Sequence, residues 1–119
     1  MISACGLSKN YNGFSALDGV SFELRDNEIL GVIGHNGAGK TTLLKIMTGL
    51  VPPSEGSLSV NGIDVVDDPV GLKRILGYLP EDSHLDETVT VRSYLTFFGE
   101  IYGMGGEVIR ERTSRLLAT

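Results

Sequence analysis

The sequence predicts an α/β fold in which strands come first and a strand–loop–helix unit follows. Three observations predict it. Residues 16–24 alternate in their second half, with Val20, Phe22 and Leu24 on one side and Ser21 and Glu23 on the other, the pattern of a half-buried strand. Residues 29–33 are an unbroken apolar run, Ile-Leu-Gly-Val-Ile, as expected of a strand buried on both faces of a parallel sheet. Residues 34–47 join a glycine-rich loop to an apolar-periodic helix.

The remaining elements follow in order. Residues 1–7 read as a short strand, and residues 8–13 as a turn that exposes Tyr11. Asp26-Asn27-Glu28 makes a tight connection, because asparagine tolerates the left-handed conformation. The helix after the loop is expected to end near Thr48, with Gly49 at its C-terminal cap and Pro52 and Pro53 preventing continuation. Residues 58–65 centre on Asn61-Gly62 between alternating apolar residues, the strongest short hairpin signal. Asp68-Pro69 reads as a helix cap followed by a first-turn proline, opening a short helix through Arg74. Residues 75–79 read as another strand, which stops at Pro80, and residues 81–87 as an acidic loop in which His84 is a surface residue. Thr90 caps a helix running to Tyr102 and closed by Gly103. A last helix starts near Gly106, with Glu111 and Arg115 spaced for an i,i+4 pair.

Length and composition bound the function. The chain of 119 residues allows one small domain with a real core. Its net charge of −5 argues against nucleic acid as a partner, which needs a basic face. The single cysteine, Cys5, excludes an internal disulfide and sits in a strand pattern as a small core residue. No apolar run is long enough to span a bilayer, and no signal pattern opens the chain. These features set the expectation of a cytoplasmic protein whose membrane role comes through a partner.

The chemistry concentrates at Gly34, Gly39, Lys40 and Thr41, which fit G-x-x-x-x-G-K-[ST], the phosphate-binding P-loop pattern. A triphosphate needs many donors at close range. Glycines at 34, 37 and 39 let the backbone curl with its N–H groups inward. The helix start adds free N–H groups and a positive dipole end. Lys40 supplies a mobile cation, and the Thr41 hydroxyl can reach a Mg²⁺ bridging the outer phosphates. His35 reads as a solvated filler of the loop.

Three segments together resemble the ATP-binding cassette of ABC transporters nearly end to end. They are Tyr11 ahead of the alternating strand, the loop Gly34-His-Asn-Gly-Ala-Gly-Lys-Thr-Thr42, and Leu76-Gly-Tyr-Leu-Pro-Glu81. Thr48-Gly-Leu50, Ser54-Glu-Gly56 and Val60-Asn-Gly62 are also typical of the family, and the tone is closest to export-type cassettes. The resemblance implies a P-loop NTPase core of the ABC type with an N-terminal antiparallel β-subdomain. It implies that residues 1–119 are the N-terminal part of one ATP-binding domain. It also implies ATP and Mg²⁺ as ligands. The partners it implies are a transmembrane permease and a second ABC domain, at the cytoplasmic face of the membrane.

Position by position, the resemblance makes Tyr11 the aromatic that stacks on adenine. Gly34, Asn36, Gly37, Ala38, Gly39, Lys40, Thr41 and Thr42 become the phosphate cradle, with Lys40 on the β- and γ-phosphates, Thr41 on Mg²⁺ and Thr42 near the α-phosphate. Glu81 falls where the family has the Q-loop glutamine. It keeps a hard oxygen for Mg²⁺, but adds a charge and loses the amide donor.

The 119 residues contain no L-S-G-G-Q-type signature and no apolar strand ending in Asp-Glu. They therefore hold no catalytic residue, and the expectation is a chain cut before the signature and Walker B segments that binds ATP without hydrolysing it. With the partnering strands absent, residues 29–33 are expected to present an unpaired apolar edge. Three other readings are weaker. A GTPase or small-molecule kinase would use Asp68-Pro-Val-Gly71 as D-x-x-G, but no Asn-Lys-x-Asp follows to read guanine. A soluble ABC-type ATPase without a membrane partner is an alternative, as is a non-functional truncated remnant.

Overall fold

The structure is a computed structural model that describes residues 1–81 and 88–118. The backbone divides into two compact units, Met1–Leu79 and Pro80–Thr119.

The first unit is a four-stranded antiparallel sheet with two helices. Its strands are β1 (Ile2–Tyr11), β2 (Phe14–Leu24), β3 (Glu55–Val60) and β4 (Ile63–Asp64), in the spatial order β2-β1-β3-β4. Helix α1 (Lys40–Met47) and helix α2 (Pro69–Ile75) complete it. Leu43 and Ile46 of α1 and Leu72 of α2 join Ala4, Leu7, Leu17, Leu58, Val60 and Val65 in one core. Leu7, Ile46, Leu58 and Leu72 are the largest fully buried side chains. Burial of each contributes about 1.5–3 kcal/mol.

β1 runs four residues beyond the strand expected at 1–7, and the turn shrinks to Asn12-Gly13. Both turn residues have positive φ, 47° and 90°, and Tyr11 pairs with Phe14 across the hairpin. This is the Asn-Gly hairpin signal again, here without flanking apolar alternation to announce it. Asn61 and Gly62 form the second such turn, as expected (φ 50° and 79°).

Three register irregularities interrupt the long hairpin; at the one nearest the turn, Ala16 is left over between the pairs Lys9–Leu17 and Asn10–Ser15. Cys5 and Gly6 stand opposite Ser21 alone, and Asp18 and Gly19 stand opposite Ser8 alone. These two are satisfied by the facing serine: Gly6 N–H donates to Ser21 Oγ at 2.8 Å, and Gly19 N–H to Ser8 Oγ at 2.9 Å. Because one of these two lies on each strand, they offset between the pairs Ala4–Phe22 and Lys9–Leu17. Cys5 is exposed, contrary to its reading as a core residue. Ala4 holds the inward phase of β1, so Cys5 points out, and the extra residue at Gly6 then turns Leu7 inward.

Residues 29–33 are not a strand. Ile29 is 98% and Ile33 97% exposed, so the expected burial on both faces does not occur. No described strand lies beside them to supply a ladder, and an apolar run alone cannot satisfy its own N–H and C=O groups. Residues 75–79 differ in the same way. Ile75 is the last residue of α2, and Leu79 is 86% exposed with no ladder partner. The connection at Asp26-Asn27 forms as expected, with Asn27 at φ 63° and Glu28 N–H donating to Arg25 C=O at 3.3 Å.

The second unit is a pair of helices, α3 (Val91–Ile101) and α4 (Gly106–Leu117). Thr90 caps α3 by accepting the Ser93 N–H at 3.2 Å, and Gly103 follows its end at φ 69°. Gly99 is buried where a Cβ would lie 2.8 Å from Ile109 Cγ1, which lets the helices approach closely. Most of the acidic loop read at 81–87, with His84, lies outside the described residues.

Two outcomes follow from the sheet. Gly56 has φ 81°, and a Cβ there would lie 2.4 Å from Gly6 C=O. Gly56→Ala is expected to cost about 2–4 kcal/mol in urea unfolding, against about 1 kcal/mol for Gly62→Ala in its open turn. Amide hydrogens at 29–33 should exchange near the unprotected rate, while those of β1 are protected; protection of 29–33 in a monomer would contradict the absence of a ladder.

Candidate functional site: a glycine loop seated on strand β2

Helix α1 begins without a side-chain cap. Its N-cap is Gly39 at φ 87°, a left-handed conformation, and no side chain accepts from the first turn. The first helical bond runs from Leu43 N–H to Gly39 C=O at 2.8 Å. The N–H groups of Lys40, Thr41 and Thr42 therefore have no acceptor within the helix. They point from the positive end of the helix, where an anion is favoured.

The loop before the helix closes on itself. Ala38 N–H donates to His35 C=O at 3.2 Å, and a Cβ on Gly34 would lie 3.0 Å from Ala38 Cβ. The Lys40 side chain folds back over the loop, its Nζ donating to Gly34 C=O at 2.7 Å and to His35 C=O at 2.9 Å. An ammonium has three N–H bonds, so one donor remains for an anion. His35 Nδ1 lies 2.8 Å from Asn36 C=O. The imidazole thus folds onto its own loop.

What fixes the loop is its seat on β2. A Cβ on residue 39 would lie 2.2 Å from Ala16 C=O and 3.3 Å from Leu17 Cδ1. Glycine is required there twice, by φ and by space. Beneath the loop a cavity of about 170 Å³ is lined by Leu17, Val20, Ala38 and Leu43, among others.

The electrostatics are one-sided. Residues 29–42 hold no carboxylate, and no described salt bridge involves Lys40. A chain of net charge −5 thereby keeps a locally positive loop.

Tyr11 ends β1 and is 42% exposed. Lys9 lies two residues earlier on the same strand face and pairs with Leu17, the residue beneath Gly39. Tyr11 and the loop thus adjoin the same stretch of the hairpin. Lys9 Nζ sits 5.2 Å from the centre of the Tyr11 ring. Reading residues 8–13 as a turn hid this pairing; strand alternation, which puts i and i+2 on one face, was the signal that finds it.

Glu81 belongs to the second unit and is exposed. Among the described residues no group of three or more His, Cys, Asp or Glu could hold a metal. The Thr41 hydroxyl, exposed at the helix start, is the only loop oxygen donor of the expected Mg²⁺ pair in the first unit. A single hydroxyl suits an ion that arrives on phosphates and keeps its waters, as Mg²⁺ does, and not one caged by protein. Asp68 is a helix cap: its Oδ1 accepts the Gly71 N–H at 2.8 Å, which occupies the D-x-x-G run with a structural task.

A glycine loop ahead of an uncapped helix, seated on an antiparallel hairpin, defines a P-loop α/β protein. The family model for the ABC transporter family matches residues 17–118, and the chain belongs to that family. It is 37% identical over 116 residues to the probable multidrug ABC transporter ATP-binding protein YbhF of Escherichia coli, covering 98% of this chain and 20% of that protein. It is 36% identical over 114 residues to the doxorubicin resistance ATP-binding protein DrrA of Mycobacterium tuberculosis, covering 94% of this chain and 34% of that one. With the ABC-type transporter ATP-binding protein EcsA of Bacillus subtilis the identity is 36%, over 98% of this chain and 47% of that protein. The chain therefore spans between a fifth and a half of the length of these relatives. Among solved structures, the cassette MJ0796, a dimer in a post-hydrolysis state bound to ADP and Pi, superposes with a TM-score of 0.81 at 25% identity, over 99% of this chain and 56% of that one. No helix of the described residues is long and apolar enough to cross a membrane.

Gly39→Ala is expected to unseat the loop, lowering stability by about 2–4 kcal/mol in chemical denaturation. A stability within about 0.5 kcal/mol of the parent chain would show that the contact with Ala16 is not a constraint.

Proposed function

We propose that this chain is the nucleotide-binding part of an ABC transporter cassette and binds ATP at the loop of residues 34–42. The observation that carries the proposal is the joint presence, on a loop free of carboxylates, of three unaccepted helix N–H groups and a Lys40 ammonium with one spare donor. Gly34, Asn36, Gly37, Ala38 and Gly39 shape the cradle. The N–H groups of Lys40, Thr41 and Thr42 donate to phosphate oxygens, with Thr42 toward the α-phosphate. Lys40 reaches the β- and γ-phosphates. Tyr11 stacks on the adenine, a contact that raises affinity more than it selects a base.

Mg²⁺ would be held by Thr41 through its hydroxyl. The ion supplies charge neutralisation of the β- and γ-phosphates. The chain's own part is to bind and orient the triphosphate.

The site serves transport when a second cassette and a transmembrane permease are present, which places it at the cytoplasmic face of a membrane. The names of the multidrug and doxorubicin-resistance relatives support an export-type system. The dimeric cassette structure supports a second ABC domain as partner. These 119 residues contain neither an Asp-Glu-ending strand nor a signature motif, so nothing in them activates the attacking water. By themselves they bind ATP and do not hydrolyse it.

Calorimetric titration with ATP tests the proposal. Lys40→Ala is expected to weaken binding about tenfold or more, the value of one charge-assisted phosphate contact, while urea unfolding changes by less than about 1 kcal/mol. Unchanged affinity would overturn the site. Steady-state phosphate release by the 119-residue chain at the rate of a full cassette would overturn the binding-only reading.

A further inference from the structure

We propose that Lys9 is a positioning residue for the nucleotide base. It holds the Tyr11 ring from one face and leaves the opposite face for stacking. The inference rests on the reading that Tyr11 stacks on adenine.

Lys9 is doubly committed. Its Nζ donates to Pro52 C=O at 2.7 Å and stands 5.2 Å from the Tyr11 ring centre. The acceptor is itself fixed, because residues 52–54 are strapped to β1. Ser54 N–H donates to Ser8 C=O at 2.8 Å, and Asn10 N–H donates to Ser54 Oγ at 3.1 Å. The strap continues into the helix that carries the loop: Leu50 N–H donates to Lys45 C=O at 2.9 Å, and Val51 N–H to the same carbonyl at 3.3 Å. A continuous path therefore links α1 to Pro52, to Lys9 and to the Tyr11 ring.

The physical effect has two parts. Tyr11 ends the strand beside a two-residue turn and is 42% exposed, so by itself it would sample several rotamers. A base that stacks on a mobile ring must order it, which lowers affinity. Lys9 orders the ring beforehand, and its ammonium is already held by Pro52. The cation also occupies one face of the ring through its attraction to the π electrons. A base is then directed to the other face, and the ring it meets has lost π density toward the cation.

The test compares a ligand with a base and one without. Binding of ATP and of inorganic tripolyphosphate is measured on the 119-residue chain and on Lys9→Met, Lys9→Arg, Tyr11→Ala and the double variant Lys9→Met/Tyr11→Ala. Lys9→Met keeps the apolar stem and removes the charge. It is expected to weaken ATP roughly threefold to fivefold and to leave tripolyphosphate within about twofold. Lys9→Arg, which can both donate to Pro52 and stack on the ring, should bind ATP like the parent chain. In the Tyr11→Ala background, Lys9→Met should have no further effect on ATP. Equal loss for ATP and tripolyphosphate would make Lys9 a residue of the fold alone and overturn the proposal. So would unchanged ATP affinity in Lys9→Met while Tyr11→Ala weakens it. If Tyr11→Ala leaves ATP affinity unchanged, the stacking role of Tyr11 fails first, and the role of Lys9 falls with it.

Discussion

The carbonyl of Ala16 decides where the loop can be. It occupies the position that any side chain at residue 39 would need, 2.2 Å from an added Cβ. The start of α1 is thereby pressed onto the backbone of β2, with no side chain between. The left-handed turn at Gly39, the missing cap and the exposed first-turn N–H groups all follow from this seat. A capped helix would have spent those donors on a side chain. Here they stay available, and Lys40 closes the loop with two bonds to its own carbonyls.

The hairpin that provides the seat is unusual in its own accounting of polar groups. Two of its three register irregularities sit on opposite strands, and each sends its stray N–H to the serine across from it. One bulge alone would leave every residue beyond it on the wrong face. With two, Leu7 and Leu17 both reach the core, while Lys9 and Tyr11 continue along the same strand to the rim where the loop lies. Ser8 and Ser21 thus matter to the placement of Tyr11 without touching it.

The first unit and the segment at 29–33 obey different constraints. The antiparallel sheet pairs strands close in sequence, and β1 is flanked on both edges. The apolar run at 29–33 has no such neighbour among the described residues, and Ile29 and Ile33 stay in solvent. Such a face favours association, since apolar groups and unpaired backbone are exposed together. The loop of residues 34–42 and Tyr11 lie within the first unit, whose core joins α1 to β1.

The sequence by itself determined the features whose cause is local. Asn61-Gly62 makes its turn because two positive φ angles suit those residues. Asp68 caps α2 and Thr90 caps α3 because a side-chain oxygen two or three residues ahead of a free N–H is enough. The pattern of the loop at 34–42 is local too, and the family is legible from it together with Tyr11 and residues 76–81. Tertiary structure decided what depends on partners far along the chain. An apolar run reads as a strand whether or not a neighbour exists, and among the described residues 29–33 and 75–79 have no strand to pair with. Bulges are invisible to simple alternation, and Ala4 and Leu7, not Cys5, take the core. The contact of Lys9 with Tyr11 needed both the strand at 8–11 and a carbonyl 43 residues away at Pro52, and only the folded chain brings them together.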